Sequence, residues 1–388
     1  MAGTADIIVA GLGAHGSATA YRAAARGKRV IGFDMFTPPH SMGSTHGRGR
    51  VIRSAYREGP AYVPLVQRAF QLWREMERDT GERLLHMTGG VTVARKGSPG
   101  LAGMRHTAQT YKLFLESLTA ADIRRRWPSF HPDDDMEGVY EADNGALFPE
   151  KCVAAHLNLA ARAGADLHFN EPVLSWRATS QGVEVKTAKG TYGAEKLVLT
   201  VGAWLPRMIA DLKLPIRIER QVLHWFAPAR NAENFGPDRL PTNSWEISKE
   251  HYFYCQADFG DGLKVAFHHG GPEIDPDSAA GSAARTVTPA EVEAMRAALA
   301  RYVPDAAGKH LGSAVCIYTN VPDYHFMVDL HPQYRQVVIG SPCSGHGFKF
   351  SAVMGEVLAG LAIDGRSDFD LSLFSAKRFA GGRGVSGH

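Results

Sequence analysis

Cysteine is scarce: the 388 residues contain four, Cys152, Cys255, Cys316 and Cys343, widely scattered and too few for a disulfide framework in a chain this long. Long apolar runs are missing too. With no uninterrupted stretch of about eighteen apolar residues, a helical membrane span is not expected. The N-terminus enters its first strand almost at once, without a charged leader and apolar signal core, so the expectation is a cytosolic protein with no membrane partner. Charge of one sign is also lacking. A formal net charge of +3 gives no reason to expect a nucleic-acid partner, and the one basic cluster, Arg48, Arg50, Arg53 and Arg57, also reads as a solvated arginine face. There is no internal repeat and no low-complexity segment. No metal site is expected, because Cys343 with His346, or His268 with His269, has no second paired-ligand motif at finger-like spacing. What is present is 44% hydrophobic and 21% charged residues, an ordinary globular balance, and length for about two domains.

The strongest local signal lies near the N-terminus, where Asp6-Ile7-Ile8-Val9-Ala10 runs into Gly11-Leu12-Gly13-Ala14-His15-Gly16 and the small residues Ser17 to Ala20. An apolar strand, a Gly-x-Gly-x-x-Gly turn and a helix start bring free N–H groups and the helix dipole to one place, suited to a pyrophosphate. Gly11 permits the turn, Gly13 lets phosphates approach the backbone, and Gly16 lets helix and strand pack closely. A second strand, Arg29 to Asp34, ends in an acid about twenty residues later, where a carboxylate would accept from ribose hydroxyls. Together these predict dinucleotide binding by Gly11, Gly13, Gly16 and Asp34.

Downstream, the order of elements suggests interleaved domains. A helix is expected over Tyr62 to Thr80 and a strand over Gly89 to Ala94; the pattern then loosens from about 86 to 149, with Trp127-Pro128 and His131-Pro132 as breakers. A helix from Cys152 through Ala163, a strand near Asp166 to Asn170 and a hairpin around Lys189-Gly190 lead to the apolar run Lys196 to Val201 and the turn Gly202-Ala203-Trp204. From about 217 to 320 the chain is strand-rich and aromatic. Val337 to Gly340, a Gly-rich turn and a helix from Phe350 to Ile363 close it.

Several segments carry a resemblance: Pro38-Pro39-His40 through Gly43-Ser44, Tyr62-Val63-Pro64-Leu65, Ala314-Val315-Cys316, Asp323-Tyr324-His325-Phe326 with Asp329, and Ser344 through Phe350. Over nearly its whole length the chain resembles the monomeric sarcosine oxidase family, which includes N-methyltryptophan oxidase. The resemblance implies an α/β, two-domain protein in which a Rossmann-like FAD-binding domain (1–85, 150–216 and 321–388) is interleaved with a mixed-sheet substrate domain (86–149 and 217–320). It implies FAD joined covalently through Cys316, with Ser44, Arg50, Gly345, Gly347 and Lys349 beside the cofactor. It implies a substrate carboxylate held by Arg53 and Lys349, Lys264 as the charge that assists oxygen reduction, His46 and Arg50 near the flavin ring, and Tyr254 and His268 near the bound amine. The expected partners are an amine bearing a carboxylate and molecular oxygen, and the expected state is a monomer.

Taken singly, these residues have plainer readings. Cys316 could be a small buried hydrophobe, Arg53 and Lys349 surface charges, Lys264 an edge-strand lysine that blocks aggregation, and His268 a satisfied histidine on a half-buried strand. One departure stands out: where the family commonly reads His-Gly-Asp-Thr-Arg, this chain has His46-Gly47-Arg48-Gly49-Arg50. The segment 241–251, with Asn243, Ser244 and Trp245, also matches only loosely, at a place expected to line the substrate pocket. The activity expected is oxidation of a secondary amine, sarcosine first, through an imine, with oxygen reduced to hydrogen peroxide. N-methyltryptophan and cyclic substrates such as pipecolate or proline stay open, as does another electron acceptor. More remote are a nicotinamide dehydrogenase and a non-catalytic flavoprotein module.

Overall fold

A computed structural model describes residues 4–248, 252–277 and 282–379. Two eight-stranded sheets and a three-stranded one organise it. In the first sheet the parallel strands Asp166–His168, Val30–Phe33, Thr4–Ala10, Thr191–Leu199 and Val337–Ser341 lie side by side. The second half of Thr191–Leu199 pairs with Val337–Ser341, while its first half pairs with the antiparallel hairpin Ser175–Thr179 and Gly182–Lys186. Alternate residues of the first strand enter different cores: Ile7 and Val9 pack on one face, Ile8 and Ala10 on the other. Burial of both faces is what a parallel sheet requires, and it explains a continuous apolar run in place of an alternating one.

The helix Ala14–Ala25 begins directly after the glycine turn and is buried along its small residues, Ala18 and Ala20 among them. Its closest neighbour is the C-terminal helix Ser351–Asp364: a Cβ on Gly355 would stand 2.8 Å from the Ala18 backbone. The helix Pro149–Arg162 packs on it as well, through Val153 and Ala160 in the same core.

The second sheet has the order His310–Asn320, Arg217–Phe226, Leu263–Phe267, Tyr252–Gln256, Thr242–Glu246, Gly90–Arg95, Met136–Glu141 and Glu116–Thr119. It is antiparallel except where Thr242–Glu246 runs parallel to Gly90–Arg95. Phe253, Cys255, Leu263 and Val265 enter an apolar core with Met295 and Leu299 of the helix Pro289–Tyr302. Period-two alternation turns Tyr252, Tyr254, Gln256, Lys264 and Ala266 to the opposite face. Arg50–Arg53, Asn144–Leu147 and Leu85–Met87 form the small sheet.

The loosely patterned stretch from 86 to 149 is more ordered than its composition suggests. It holds helices Pro99–Tyr111 and Ala120–Arg126; Ser98 caps the first, and Thr119 with Asp122 forms a capping box on the second. The second helix ends just before Trp127-Pro128, as a proline requires of the residue before it. Among the described residues, no helix is long and apolar enough to cross a membrane.

Candidate active site

One cavity is walled by the glycine turn and Asp34, by Ser44, Arg50 and Cys316, and by Arg53, Tyr254, His268, Gly345, Gly347 and Lys349. At the turn, Gly11 has φ +85° and a Cβ there would fall 2.5 Å from the Thr200 carbonyl oxygen; a Cβ on Gly16 would fall 1.7 Å from the Gly11 oxygen. Gly13 differs: its missing side chain leaves open space, with Thr45 Oγ1 the nearest atom at 3.5 Å. The helix that follows has no side-chain N-cap; Ala14 N–H makes one long bond, to Thr45 Oγ1 at 3.4 Å, and the start of the helix lines the cavity as an anion site. Asp34, 6% exposed, accepts from Leu12 N–H at 2.8 Å and Phe36 N–H at 2.9 Å, which ties the turn to the end of the second strand. Backbone donors, a glycine that admits phosphate and an acid at the cavity wall fit a dinucleotide.

Two cations meet around Tyr56. Arg53 and Lys349 are 8% and 5% exposed, so neither is a surface charge. The Arg53 guanidinium lies 5.2 Å from the Tyr56 ring centroid and the Lys349 ammonium 5.3 Å from it. Arg53 reaches Glu58 at 3.4 Å while its Nε has no partner among the described residues. Lys349 sits on the turn Phe348–Phe350, ahead of the C-terminal helix, and donates to the His346 carbonyl at 2.6 Å and to Tyr56 Oη at 3.3 Å. Burial, and next the charge of Arg53, push the Lys349 ammonium down to about 7. Burial, the largest single influence, opposes ionisation of Glu58, but Arg53 together with the neighbouring Arg57 and Lys349 holds the carboxyl down to about 2. Behind them Glu141 accepts from Ser54 and Ala55 N–H and from Asn144, and burial pushes it up to about 7.

Cys316 is buried in the strand paired with Arg217–Phe226, opposite Gln221. Its Sγ lies 3.6 Å from Arg50 Nη2, and Arg50 donates to the carbonyls of Ser44 and Gly49, each at 2.9 Å. Lys264 is 3% exposed, interior to its sheet, and its ammonium donates to the Gly49 carbonyl. An edge-strand lysine is therefore the wrong reading. Lys264 stands behind Gly49 and Tyr254, outside the cavity wall itself. Burial, and next the charge of Arg50, push its ammonium well below the usual lysine range.

His268 and Tyr318 pair through Nδ1 and Oη at 3.1 Å, and burial holds His268 well below the usual imidazole range. His46 does not line the main cavity; it faces a separate recess with Arg48, Glu150 and Trp225. Burial, and next Arg50 and Lys264, push it down to about 3, so it is neutral. Arg48 lies at the mouth of that recess, its side chain 53% exposed, 3.5 Å from Asp261 and with its guanidinium 4.7 Å from the Trp225 ring centroid. Of Asn243, Ser244 and Trp245, only Ser244 reaches the cavity; residues 249–251 of that segment lie outside the described residues. Cys343 and His346, the imagined zinc pair, are otherwise engaged: Cys343 Sγ accepts from Thr319 N–H at 3.3 Å, and His346 Nδ1 lies 2.7 Å from Tyr56 Oη.

A family model described as FAD dependent oxidoreductase matches residues 6–361. The chain is 43% identical over 384 residues to a monomeric sarcosine oxidase of Streptomyces avermitilis, covering 98% of this chain and 99% of that one. It is 36% identical over 388 residues to an N-methyl-L-tryptophan oxidase of Yersinia pestis, covering 96% and 99%. The chain belongs to this family of FAD-dependent oxidoreductases. Among solved structures, NikD, described as an unusual amino acid oxidase essential for nikkomycin biosynthesis, superposes with TM-score 0.83 at 24% identity, covering 96% of this chain and 97% of that one. The L-proline dehydrogenase of P. horikoshii superposes with TM-score 0.84 at 20% identity, covering 98% of both. These two speak for the fold. The protein is thus a flavin-dependent amine oxidoreductase with the expected α/β, two-domain architecture.

Residue reasoning missed several groups that the family fold brings to this cavity. Tyr56, Glu58, Arg57, Tyr252 and Tyr318 all line it or touch its cations. Glu58 carried a weak signal as an acid five residues after Arg53. Tyr318 signalled only as the tyrosine two residues after Cys316 in the family segment; its contact with His268 comes from the tertiary fold.

Proposed function

We propose that the chain is an FAD-dependent oxidase of N-methyl amino acids, sarcosine first, with the cofactor tethered to Cys316. The observation that carries this reading is a single cavity joining a dinucleotide turn to a buried thiol and to two buried cations, Arg53 and Lys349. When bound, FAD supplies the two-electron acceptor and later passes those electrons to oxygen. Arg53 and Lys349 hold the substrate carboxylate, with Glu58 yielding its place beside Arg53. Their charges, with Arg50, disfavour a protonated substrate nitrogen, and a neutral amine is the form able to lose a hydride equivalent. Neutral His268 and Tyr254 shape the wall around that nitrogen. Lys264 supplies positive charge for oxygen reduction. Overall, the N-methyl amino acid, oxygen and water give the amino acid, formaldehyde and hydrogen peroxide.

The strand distribution supports assigning 1–85, 150–216 and 321–388 to the FAD-binding domain, since all eight strands of the first sheet come from them; all eight of the second come from 86–149 and 217–320. We further propose a monomer, as the relatives' name has it, working in the cytosol, where the four free thiols stay reduced. Acid precipitation tests the tether: yellow colour stays with the pellet and leaves it in Cys316→Ala. A panel of sarcosine, N-methyltryptophan, pipecolate and proline, assayed for peroxide, tests the substrate; no turnover of any by flavin-loaded protein overturns the oxidase reading. Preference for a cyclic or bulky amine would move the assignment to that relative's substrate class.

A further inference from the structure

Gln256 is 2% exposed, and both ends of its amide lack a hydrogen-bond partner among the described residues. A buried amide left so costs the desolvation of each unmet group, so its presence here calls for a role. It is not in the apolar core, because alternation along Tyr252–Gln256 sends Phe253 and Cys255 there and turns Gln256 to the side of Tyr252 and Tyr254. Directly across the strand pair stands Lys264. Both side chains converge on Gly49. The Lys264 ammonium donates to its carbonyl, and Gln256 Oε1 lies 2.4 Å from where a Gly49 Cβ would be. Gly49 is also the position where the family commonly reads threonine, so the amide occupies room that a side chain would need.

We infer that Gln256 is a positioning residue for Lys264, its amide serving through one water as a second partner for the ammonium in the space that Gly49 leaves. The inference rests on the proposed part of Lys264 in oxygen reduction. There oxygen takes two electrons from the reduced cofactor and two protons and leaves as hydrogen peroxide, while Lys264 and Gln256 make and break no covalent bond. Lys264 needs a second acceptor, since an ammonium has three donors. The charged or titratable groups facing it are Arg50 from the small sheet, His46 from the preceding loop, Glu150 from the start of the helix Pro149–Arg162, Cys316, and Tyr254, whose ring centroid is 5.8 Å away. Arg50 works against the charge on Lys264, and Glu150 is occupied by the N–H groups of Gly47 and Arg48. An acceptor at Gln256 keeps the ammonium charged and aimed.

The test separates the half-reactions. Holoenzyme is reduced anaerobically with sarcosine, or with dithionite, and mixed with oxygen across a pH series. In Gln256→Leu, reoxidation slows about tenfold, and its decline with rising pH sets in at lower pH, while reduction by sarcosine stays within about twofold. Gln256→Glu restores the rate and moves the decline to higher pH. Gly49→Ala, whose methyl must displace the amide, reproduces the slowing, and the double variant Gly49→Ala/Gln256→Ala is no slower than either alone. A second readout is the Nζ resonance of Lys264 in oxidised, 15N-lysine-labelled protein, identified by its loss in Lys264→Met, which titrates at lower pH in Gln256→Leu. Unchanged reoxidation, pH profile and Nζ titration in Gln256→Leu overturn the inference. Failure of any N-methyl amino acid to reduce the wild-type enzyme overturns the substrate reading alone, because dithionite-reduced protein still reports on Gln256.

Discussion

The sheet that carries the glycine turn buries apolar side chains on both faces, whereas the sheet that carries Lys264 has one apolar face and, on the other, mixes buried Leu223, Trp225 and Ala266 with Ser244, Tyr252, Tyr254, Gln256 and Lys264. On the proposed reading the first holds its ligand chiefly through backbone, where glycines decide how close a phosphate comes. The second works through charges removed from water, whose strength depends on what else is buried beside them. Steric changes should therefore dominate on the first side and electrostatic changes on the second.

The largest effect expected is steric. Gly16→Val places a side chain against the Gly11 carbonyl, where only backbone can yield. Destabilisation of about 1–3 kcal/mol or more and loss of bound flavin are expected, read from the visible spectrum and a thermal melt. Flavin retention with an unchanged Tm would break the contrast. Next comes Lys264→Met, which should slow reoxidation by about 100-fold while hardly altering reduction, as loss of one preorganised charge does. Equal slowing of both steps, followed by stopped-flow absorbance, counts against the role assigned to Lys264.

Smaller but more diagnostic is the proposed carboxylate clamp. Arg53→Met or Lys349→Met should each lower kcat/KM by about 10–100-fold. Lys349, brought down to about 7 by burial and Arg53, is charged below that pH and loses its charge as pH rises through it. Binding of a carboxylate ligand to the oxidised enzyme should weaken above about pH 7, and Lys349→Met should abolish that dependence; a titration of flavin absorbance against pH measures it. The smallest effect belongs to Arg48→Asp, which restores the family's acid. Arg48 is exposed and paired with an exposed Asp261, so turnover should stay within about twofold and stability within about 1 kcal/mol.

The nucleotide side was the more legible half because its signals are local: strand, turn, helix and acid follow one another within about thirty residues, and each glycine's task can be read from spacing. Helix limits followed as closely, with the expected Tyr62 to Thr80 observed as Val63–Thr80 behind the short turn Pro60–Tyr62. The charged residues of the site, on either domain, were legible chiefly through the family's motifs. Nothing near Lys264 in sequence says that it lies inside a sheet under Gly49, and nothing near Lys349 says that it shares a tyrosine ring with Arg53.

By itself, then, the chain order of its motifs determined a dinucleotide fold, a flavin family and the residue types at the site. Which of those residues are buried, which pair, and which stand back from the cavity were decided by tertiary structure. Burial is a property of neighbours brought together across hundreds of residues, and it moves Lys264, Lys349, His46 and Glu141 away from their ordinary protonation ranges.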